Sequence, residues 1–419
     1  MRGRLPFYLF TAMSLAFLWI AGCSEFPGRL VWQSIPPSDT RVKAGFFGVA
    51  ALPGGQAVAV GFTLPGNRIS RAFSMRFDGT RWNELPVTGH PAPQSFRLTG
   101  CTRASDGTVW ACGSVRLDPE ENGTARPAVY RLVGDTWTEV FIEGLETVIG
   151  LEFNALGAGP GSEMRFVGSN VEGRGVCVRF KDGTWSLMPL PNPAAGGTSW
   201  ALTCVVRAPG GTWYCAGPLS EAIGGAMFMD AGSGWQAMPA LSAREESVSS
   251  LAIDGAGALW VASNHAEGDL TQGSLFKLTT SGAAPVAVTR KSLGEFQLYA
   301  IHFDPTGNGW AVGGRKPDDP FFANYDGSSW VESFVDLDLP PLASPVRLAA
   351  AARPHGARVE TGGGELFAVS VESPDNTFAV GHAEESGGDG DHEFLPRLFR
   401  VQRVVETDRP RVRPPLAPF

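Results

Sequence analysis

Carboxylate side chains are concentrated in three polar segments of this sequence. In one of them, "GHAEESGGDGDHEFLP", glycine-spaced oxygen ligands of the kind that hard cations prefer predict a Ca²⁺ site at Asp389, Asp391 and Glu393. The segment lacks the spacing of an EF-hand loop, so a solvated acidic loop is the alternative. The three segments also predict an acidic face, whose carboxylates are Asp118, Glu120, Glu121, Asp318, Asp319, Glu384 and Glu385. This face either binds a basic partner or contributes only to solubility.

A second set of charged residues lies near the starts of repeated apolar segments: Lys43, Arg97, Glu146, Glu246, Glu295 and Glu365. If the repeated segments surround a central channel, these residues lie at its mouth. Paired carboxylates there could act as acid and base on a glycoside, which makes a carbohydrate-active hydrolase or lyase one interpretation. A hydrated, partly salt-bridged rim is the other. The sequence has no His-Glu-x-x-His motif, Gly-x-Ser-x-Gly elbow or phosphate loop, so no catalytic residue is assigned.

The composition is that of a chain that turns often around a real core. Its 419 residues include 53 Gly and 32 Pro, and 43% are apolar. Only 18% are charged and no long basic run occurs, which excludes a nucleic-acid footprint. The net charge is −8, and without Arg2 and Arg4 it is 32 basic against 42 acidic residues, or −10.

The amino terminus has the pattern of a secretory signal. Arg2 and Arg4 precede an apolar run that leads through small residues to Cys23. The ending "IAGC" resembles a bacterial lipobox. The resemblance implies cleavage before Cys23 and acylation of that cysteine with a fatty acid such as palmitate. By analogy with enterobacterial sorting, Ser24 implies the outer membrane of the cell envelope. An uncleaved signal anchor is the alternative.

Two motifs recur about every 50 residues. The first is a tight turn, often Asp-Gly, followed by Trp, and it marks Trp82, Trp137, Trp185, Trp235 and Trp330, with one member missing near "SGAAPV". The second is an apolar strand that ends in Gly, and its seven copies are "VAVG", "WACG", "RFVG", "WYCAG", "WVAS", "WAVG" and "FAVG". The Trp residues of the second motif are expected to pack between repeats.

Each copy predicts four short strands, a to d, with Asp-Gly as the hairpin turn between c and d. Four strands per repeat of this length are typical of a β-propeller blade. The last copy lacks strand d, and "RLVWQSIPP" around Trp32 supplies one ahead of the first copy. We therefore predict an all-β, seven-bladed propeller of antiparallel blades, closed by the amino-terminal strand joining the carboxyl-terminal blade.

On these motifs, residues 30–403 resemble bacterial "WAVG…DGxxW" propellers, including photosystem II assembly factor-like and BNR-type families. The resemblance implies the fold and hardly any activity. "SDGTVW" at Ser105 departs from the sialidase Asp-box spacing, so no sialidase residue is assigned. The expected organisation is a signal peptide at 1–22, a lipidated tether at 23–29, the propeller at 30–403 with a long excursion at 335–364, and a Pro-rich flexible tail at 404–419.

Four cysteines occupy matching places in two repeats. Cys101 and Cys112 lie on strands a and b of one, and Cys204 and Cys215 lie on those of another, 11 residues apart in both cases. An oxidising envelope compartment and the short distance across a hairpin predict two disulfides, with buried free thiols as the alternative. Cys177 is left over and is expected to be buried and inert.

Loop lengths predict the working face. The a–b and c–d turns are short, whereas b–c segments such as "SVRLDPEENGTARP" and "SNHAEGDLTQG" are long and dissimilar. Long variable loops on a repeated scaffold are where binding is normally placed. We therefore expect a scaffold that binds a protein or glycan partner through its b–c face, with its opposite face near the membrane.

Overall fold

The computed structural model describes residues 29–404, with gaps at 36, 40–42, 65–68, 89–94, 117–124, 145–149, 194–198, 220–224, 239–245, 268–269, 279–287, 293–295, 316–318, 326, 334–364 and 387–391. Within these residues the strands form seven four-stranded antiparallel sheets. The predicted signal peptide, lipidation site, excursion and most of the tail lie outside them. No described segment is a helix with the length and apolar character needed to cross a bilayer.

Six blades take their strands from consecutive stretches of chain. The first strand of the chain, β1 (Arg29–Ser34), belongs to blade seven. Blades one to three consist of β2 (Ala44–Leu52), β3 (Gln56–Thr63), β4 (Arg71–Phe77), β5 (Trp82–Glu84); β6 (Ser95–Arg103), β7 (Val109–Arg116), β8 (Ala125–Val133), β9 (Thr136–Glu139); β10 (Glu152–Ala158), β11 (Met164–Ser169), β12 (Gly175–Lys181) and β13 (Thr184–Met188).

Blades four to six follow the same order. They consist of β14 (Cys204–Arg207), β15 (Trp213–Pro218), β16 (Gly225–Asp230), β17 (Gln236–Ala237); β18 (Glu246–Ile253), β19 (Leu259–Glu267), β20 (Leu270–Leu278), β21 (Val288–Ser292); β22 (Gln297–Phe303), β23 (Gly309–Arg315), β24 (Asp319–Tyr325) and β25 (Trp330–Ser333). Strand β21 is the strand d for which the sequence showed no Trp.

Blade seven closes the ring as predicted. It consists of β26 (Glu365–Ser373), β27 (Asn376–Ser386) and β28 (His392–Val404), with β1 as its outermost strand. The pairing of β1 with β28 sets Trp32 opposite Val401 and Ser34 opposite Phe399. The two ends of the described chain therefore share one sheet, and this pairing closes the ring of blades.

The core lies between blades. Each of seven buried clusters takes its residues mainly from two adjacent blades, so each interface has its own apolar packing. The Trp residues of the second motif are buried in these clusters, which confirms their predicted packing role: Trp110, Trp213, Trp260 and Trp310.

In six blades strand b ends in a glycine that lies too close to the neighbouring strand a to carry a side chain. In six blades the pairing of strands a and b skips one residue of strand a. A Cβ on the strand b glycine would lie only 1.8–1.9 Å from a backbone carbonyl oxygen in strand a or just before it, which leaves no room for a side chain at Gly61, Gly113, Gly168, Gly217, Gly313 and Gly381. The fifth blade has Ser263 there.

Replacing Gly313 with alanine should therefore destabilise the propeller by roughly 1–3 kcal/mol, because the added methyl group would meet the Gln297 carbonyl oxygen at 1.8 Å. Urea denaturation measures the loss. Gly210→Ala is the matched control, since nothing lies within 4 Å of its added Cβ, and it should change stability by less than about 0.5 kcal/mol. Equal stability of the two variants would show that the close approach does not constrain this position.

Two b–c connections are shorter than the sequence predicts. In blade five, β19 and β20 pair up to Glu267 and Leu270. In blade seven, β27 and β28 pair up to Ser386 and His392. Much of each polar segment is therefore strand, because ladder hydrogen bonds use backbone groups and do not require apolar side chains.

The predicted disulfides are wrong. All described cysteines are free, and Cys101 faces Ala111 across the hairpin while Cys204 faces Ala216. In the parts of these hairpins that hold the cysteines, opposed residues are an even number of positions apart, so a spacing of 11 places the two thiols on opposite faces of the sheet. Cys177 is buried as expected, and burial raises its thiol pKa to about 12, which keeps it protonated and unreactive.

Candidate functional site

One side chain from each blade encircles the entrance of the central channel, at the end where strands a begin. These seven residues line a cavity of about 660 Å³, and together they are called the mouth ring: Phe47, Thr99, Asn154, Thr203, Ser249, Tyr299 and Phe367. Each lies 14 positions before the Gly or Ser that ends the strand b motif. The mouth ring is thus a structural repeat with a variable side chain.

The strand a bulge creates the mouth ring. In six blades the residue skipped by the ladder is the ring residue itself, as with Phe47 between Phe46 and Gly48. In blade four, β14 begins directly after Thr203. A bulge leaves one residue unpaired and redirects its side chain, here towards the channel.

The mouth ring has an aromatic arc and a polar arc. Tyr299, Phe367 and Phe47 come from the neighbouring blades six, seven and one, with ring centroids 4.9 Å apart for Tyr299–Phe367 and 5.4 Å apart for Phe47–Phe367. The other four ring residues, from blades two to five, carry hydroxyl or amide groups. One side of the entrance can therefore contact an apolar group while the other stays hydrated.

Most polar groups of the ring are already used within the propeller. The Thr99 hydroxyl donates to the Phe153 carbonyl at 2.7 Å. The Asn154 amide donates to the Leu202 carbonyl at 2.9 Å, and the Ser249 hydroxyl donates to the Ala262 carbonyl at 3.1 Å. The first two bonds join adjacent blades. These side chains therefore hold the channel wall, and the hydroxyl protons of Thr99 and Ser249 are not free for a ligand.

Two arginines of blade two and one glutamate of blade three add charge to the cavity. Arg116 donates to one oxygen of Glu152 at 2.8 and 3.1 Å. Arg97 instead donates through Nε to the Ser70 hydroxyl at 2.8 Å, and its guanidinium lies 5.0 Å from the Phe62 ring centroid. Burial lowers the pKa of Arg97, and the Arg116 charge lowers it further while Glu152 raises it. Of the two cations, Arg116 alone forms an ion pair with Glu152.

His382 adjoins the aromatic arc. Its imidazole stacks on Phe367 at 4.8 Å and meets Phe394 and Phe47 edge to face. Burial lowers its pKa to about 4, so it is neutral near pH 7. This neutral ring extends the apolar side of the entrance outward along blade seven.

Farther along the channel, His302 accepts a hydrogen bond from the Val371 amide at 3.2 Å. It lines the channel, and burial lowers its pKa to about 4.

No side chain of the predicted acidic site residues is among those that the structure describes. Outside the described residues lie Asp118, Glu120, Glu121, Asp318, Asp389 and Asp391. Strand backbone alone is described for Asp319, Glu384, Glu385 and Glu393. Among the side chains that are described, no group of three His, Cys, Asp or Glu residues could hold a metal ion. The Ca²⁺ site and the acidic face therefore stay predictions.

The charged residues predicted at the channel mouth separate. Arg97 lines the cavity, whereas Glu246 is buried and accepts a hydrogen bond from the Ser263 hydroxyl at 2.6 Å. Glu146 and Glu295 lie outside the described residues. Within the described lining, Glu152 is the one carboxylate, and Arg116 binds it.

Comparison with known proteins supports the architecture. No protein-family model and no curated protein sequence matches the chain. Among solved structures, YCF48 bound to D1 peptide is 13% identical at a TM-score of 0.53, over 88% of this chain and 96% of that one. YCF48 from Cyanidioschyzon merolae is 12% identical at 0.52, over 89% and 99%. The chain is a seven-bladed β-propeller.

A third similar propeller is a protein of unknown function from Dyadobacter fermentans, 11% identical at a TM-score of 0.50, with 89% and 98% of the two chains covered. At these identities the likeness shows the fold alone, because one propeller architecture supports many unrelated activities. The comparison therefore confirms the predicted resemblance to propeller proteins at the level of the fold.

Proposed function

We propose that this protein is a lipid-anchored propeller of the bacterial cell envelope that binds a segment of another protein at the channel mouth. The observation that carries the proposal is the concave cavity at the channel mouth, which joins the aromatic arc of the mouth ring to the charged side chains of Arg97, Arg116 and Glu152. Cavities of roughly 300–1,000 Å³ with a few placed polar groups are typical binding sites. The similar propeller whose structure holds a D1 peptide supports a peptide as the occupant.

The proposed anchor orients the mouth away from the membrane. The lipobox-like "IAGC" and Cys23 support acylation, and Ser24 supports the outer membrane. Strand β1 starts at Arg29 on the side of the a–b and c–d turns, and five or six residues reach about 20 Å at most. The turn face would then lie near the bilayer, and the b–c connections, with their acidic residues, would surround the partner.

Site-specific photocrosslinking in intact cells tests this proposal. A photoreactive residue at Ser114, which lines the cavity, should capture one discrete protein. The same residue at Thr80, in the exposed turn between β4 and β5, is the matched control and should not capture that protein. Cys23→Ser should release the propeller from membranes.

Capture of the same species equally well from Thr80, or no capture from Ser114, would contradict binding at the mouth. If the Cys23→Ser protein stays in the membrane fraction, the proposed lipid anchor is contradicted.

A further inference from the structure

We propose that the channel mouth binds the carboxyl terminus of a peptide whose last residue is aromatic or bulky and apolar. The α-carboxylate would pair with Arg97, and the terminal side chain would pack on the aromatic arc formed by Tyr299, Phe367 and Phe47. The inference deepens the proposed function and rests on it only for the class of ligand, a peptide.

An anion is favoured because the charges of the cavity do not balance. Arg116 and Glu152 pair with each other, which leaves the charge of Arg97. The described bonds of Arg97 are its Nε donation to Ser70 and its contact with Phe62, and no described carboxylate lies within ion-pair distance of it. Arg97 lines the cavity, and the planar fork of a guanidinium matches a carboxylate in a bidentate pair.

The aromatic arc begins where this guanidinium ends. Arg97 lies over the Phe62 ring, and Phe62 stacks on Phe47 with centroids 5.4 Å apart and planes 13° from parallel. Phe47 in turn meets Phe367. A ligand with a carboxylate next to a flat or bulky apolar group would contact both parts at once, and a terminal residue has this arrangement.

The polar arc argues for a peptide and against a glycan. A sugar needs many hydrogen-bonding partners for its hydroxyl groups, but Thr99, Asn154 and Ser249 already donate to backbone carbonyls. Asn264 likewise donates to and accepts from the backbone of Leu298. Beside its aromatic faces the cavity therefore offers one guanidinium without an ion-pair partner, that of Arg97, which suits a single carboxylate beside an apolar side chain.

Fluorescence anisotropy with labelled hexapeptides tests the proposal on the purified mature propeller. The probe is a Gly/Ser-rich peptide ending in Phe with a free carboxylate. It is compared with its C-terminal amide, with a free acid ending in Ala, and with an amide peptide that has an internal Asp-Phe pair. We expect saturable binding of the free acid ending in Phe and roughly tenfold or more weaker binding of the amide, because a charge-assisted hydrogen bond is lost.

Variants separate the two halves of the site. Arg97→Gln should remove the preference for acid over amide, and Arg97→Lys should restore it in part because a cation without the planar fork remains. Phe367→Ala should bring the affinities of the peptides ending in Phe and Ala together. Arg81→Gln, an exposed cation on the opposite face, is the control and should bind like the wild type.

The proposal fails if the acid and the amide bind equally or if Arg97→Gln keeps the preference for the acid. It also fails if no peptide reaches saturation below about 1 mM, the dissociation constant of a weak complex. Binding of the internal Asp-Phe amide as tightly as the free acid would overturn the terminal assignment. Should Arg97→Gln fail to fold, the wild-type acid and amide comparison still decides. Persistent crosslinking from Ser114 without peptide binding would leave the proposed function standing and remove this inference.

Discussion

Replacing Trp32 with alanine is expected to lower the free energy of unfolding by about 3–5 kcal/mol, the range for a large buried aromatic side chain. Trp32 is 1% exposed, and its ring centroid lies 4.6 Å from that of Phe322 in blade six. It is therefore the contact by which the amino-terminal strand of blade seven packs against the preceding blade. Urea denaturation should show the loss, and hydrogen exchange should rise first in β1 and β28.

Val331→Ala is the matched control for this prediction. Val331 lies on strand d of blade six but is 50% exposed, so its truncation should change stability by less than about 0.5 kcal/mol. Trp32→Phe should fall between the two because it keeps part of the packing. A loss below about 1 kcal/mol for Trp32→Ala would show that the ring does not depend on its closing strand.

Replacing Arg165 with methionine is expected to destabilise the propeller by about 3–5 kcal/mol, because it leaves Asp230 buried without its cation. Arg165 Nη1 lies 2.9 Å from Asp230 Oδ2, and the two residues are 5% and 2% exposed. The guanidinium also lies over the rings of Trp213 and Trp235, at 4.5 and 5.1 Å. This group joins blade three to blade four.

Asp230 itself has opposing influences on its pKa. Burial raises the pKa, but hydrogen bonds from the Gly232 and Gly234 amides and the pairing with Arg165 outweigh burial and lower it. Its folded-state stabilisation is thus present above the pKa of an unfolded aspartate and is lost as the pH falls towards the lowered folded value.

A double-mutant cycle measures this pair. Asp230→Asn keeps an acceptor for Gly232 and Gly234, so the double variant with Arg165→Met should be more stable than the sum of the single losses predicts, by about 1–3 kcal/mol. Arg174→Met is the control, because Arg174 pairs with Glu172 at 3.4 Å on the exposed surface of blade three and should cost under about 1 kcal/mol. Additive losses would show that the buried pair is not coupled.

The candidate site was only partly accessible to sequence reasoning. Arg97 was predicted near the channel mouth, and the structure confirms that position. The ring residues were missed, although each lies 14 positions before the repeated Gly or Ser. Their side-chain types vary from Phe to Ser, so composition gives no signal for them, and only the shared bulge shows that they form one set.

The amino-acid sequence by itself determined the seven blades, their four strands and the closing role of Trp32. The blades and their strands follow from turn residues and apolar strands that repeat within single hairpins, and the closing role of Trp32 follows from the one strand that the last repeat lacks. The tertiary structure alone decided the facing of Cys101 and Cys112, the mouth ring, and the pairing of Arg165 with Asp230. Each depends on a one-residue register or on contact between blades, and shifting a strand by one position turns every side chain to its other face.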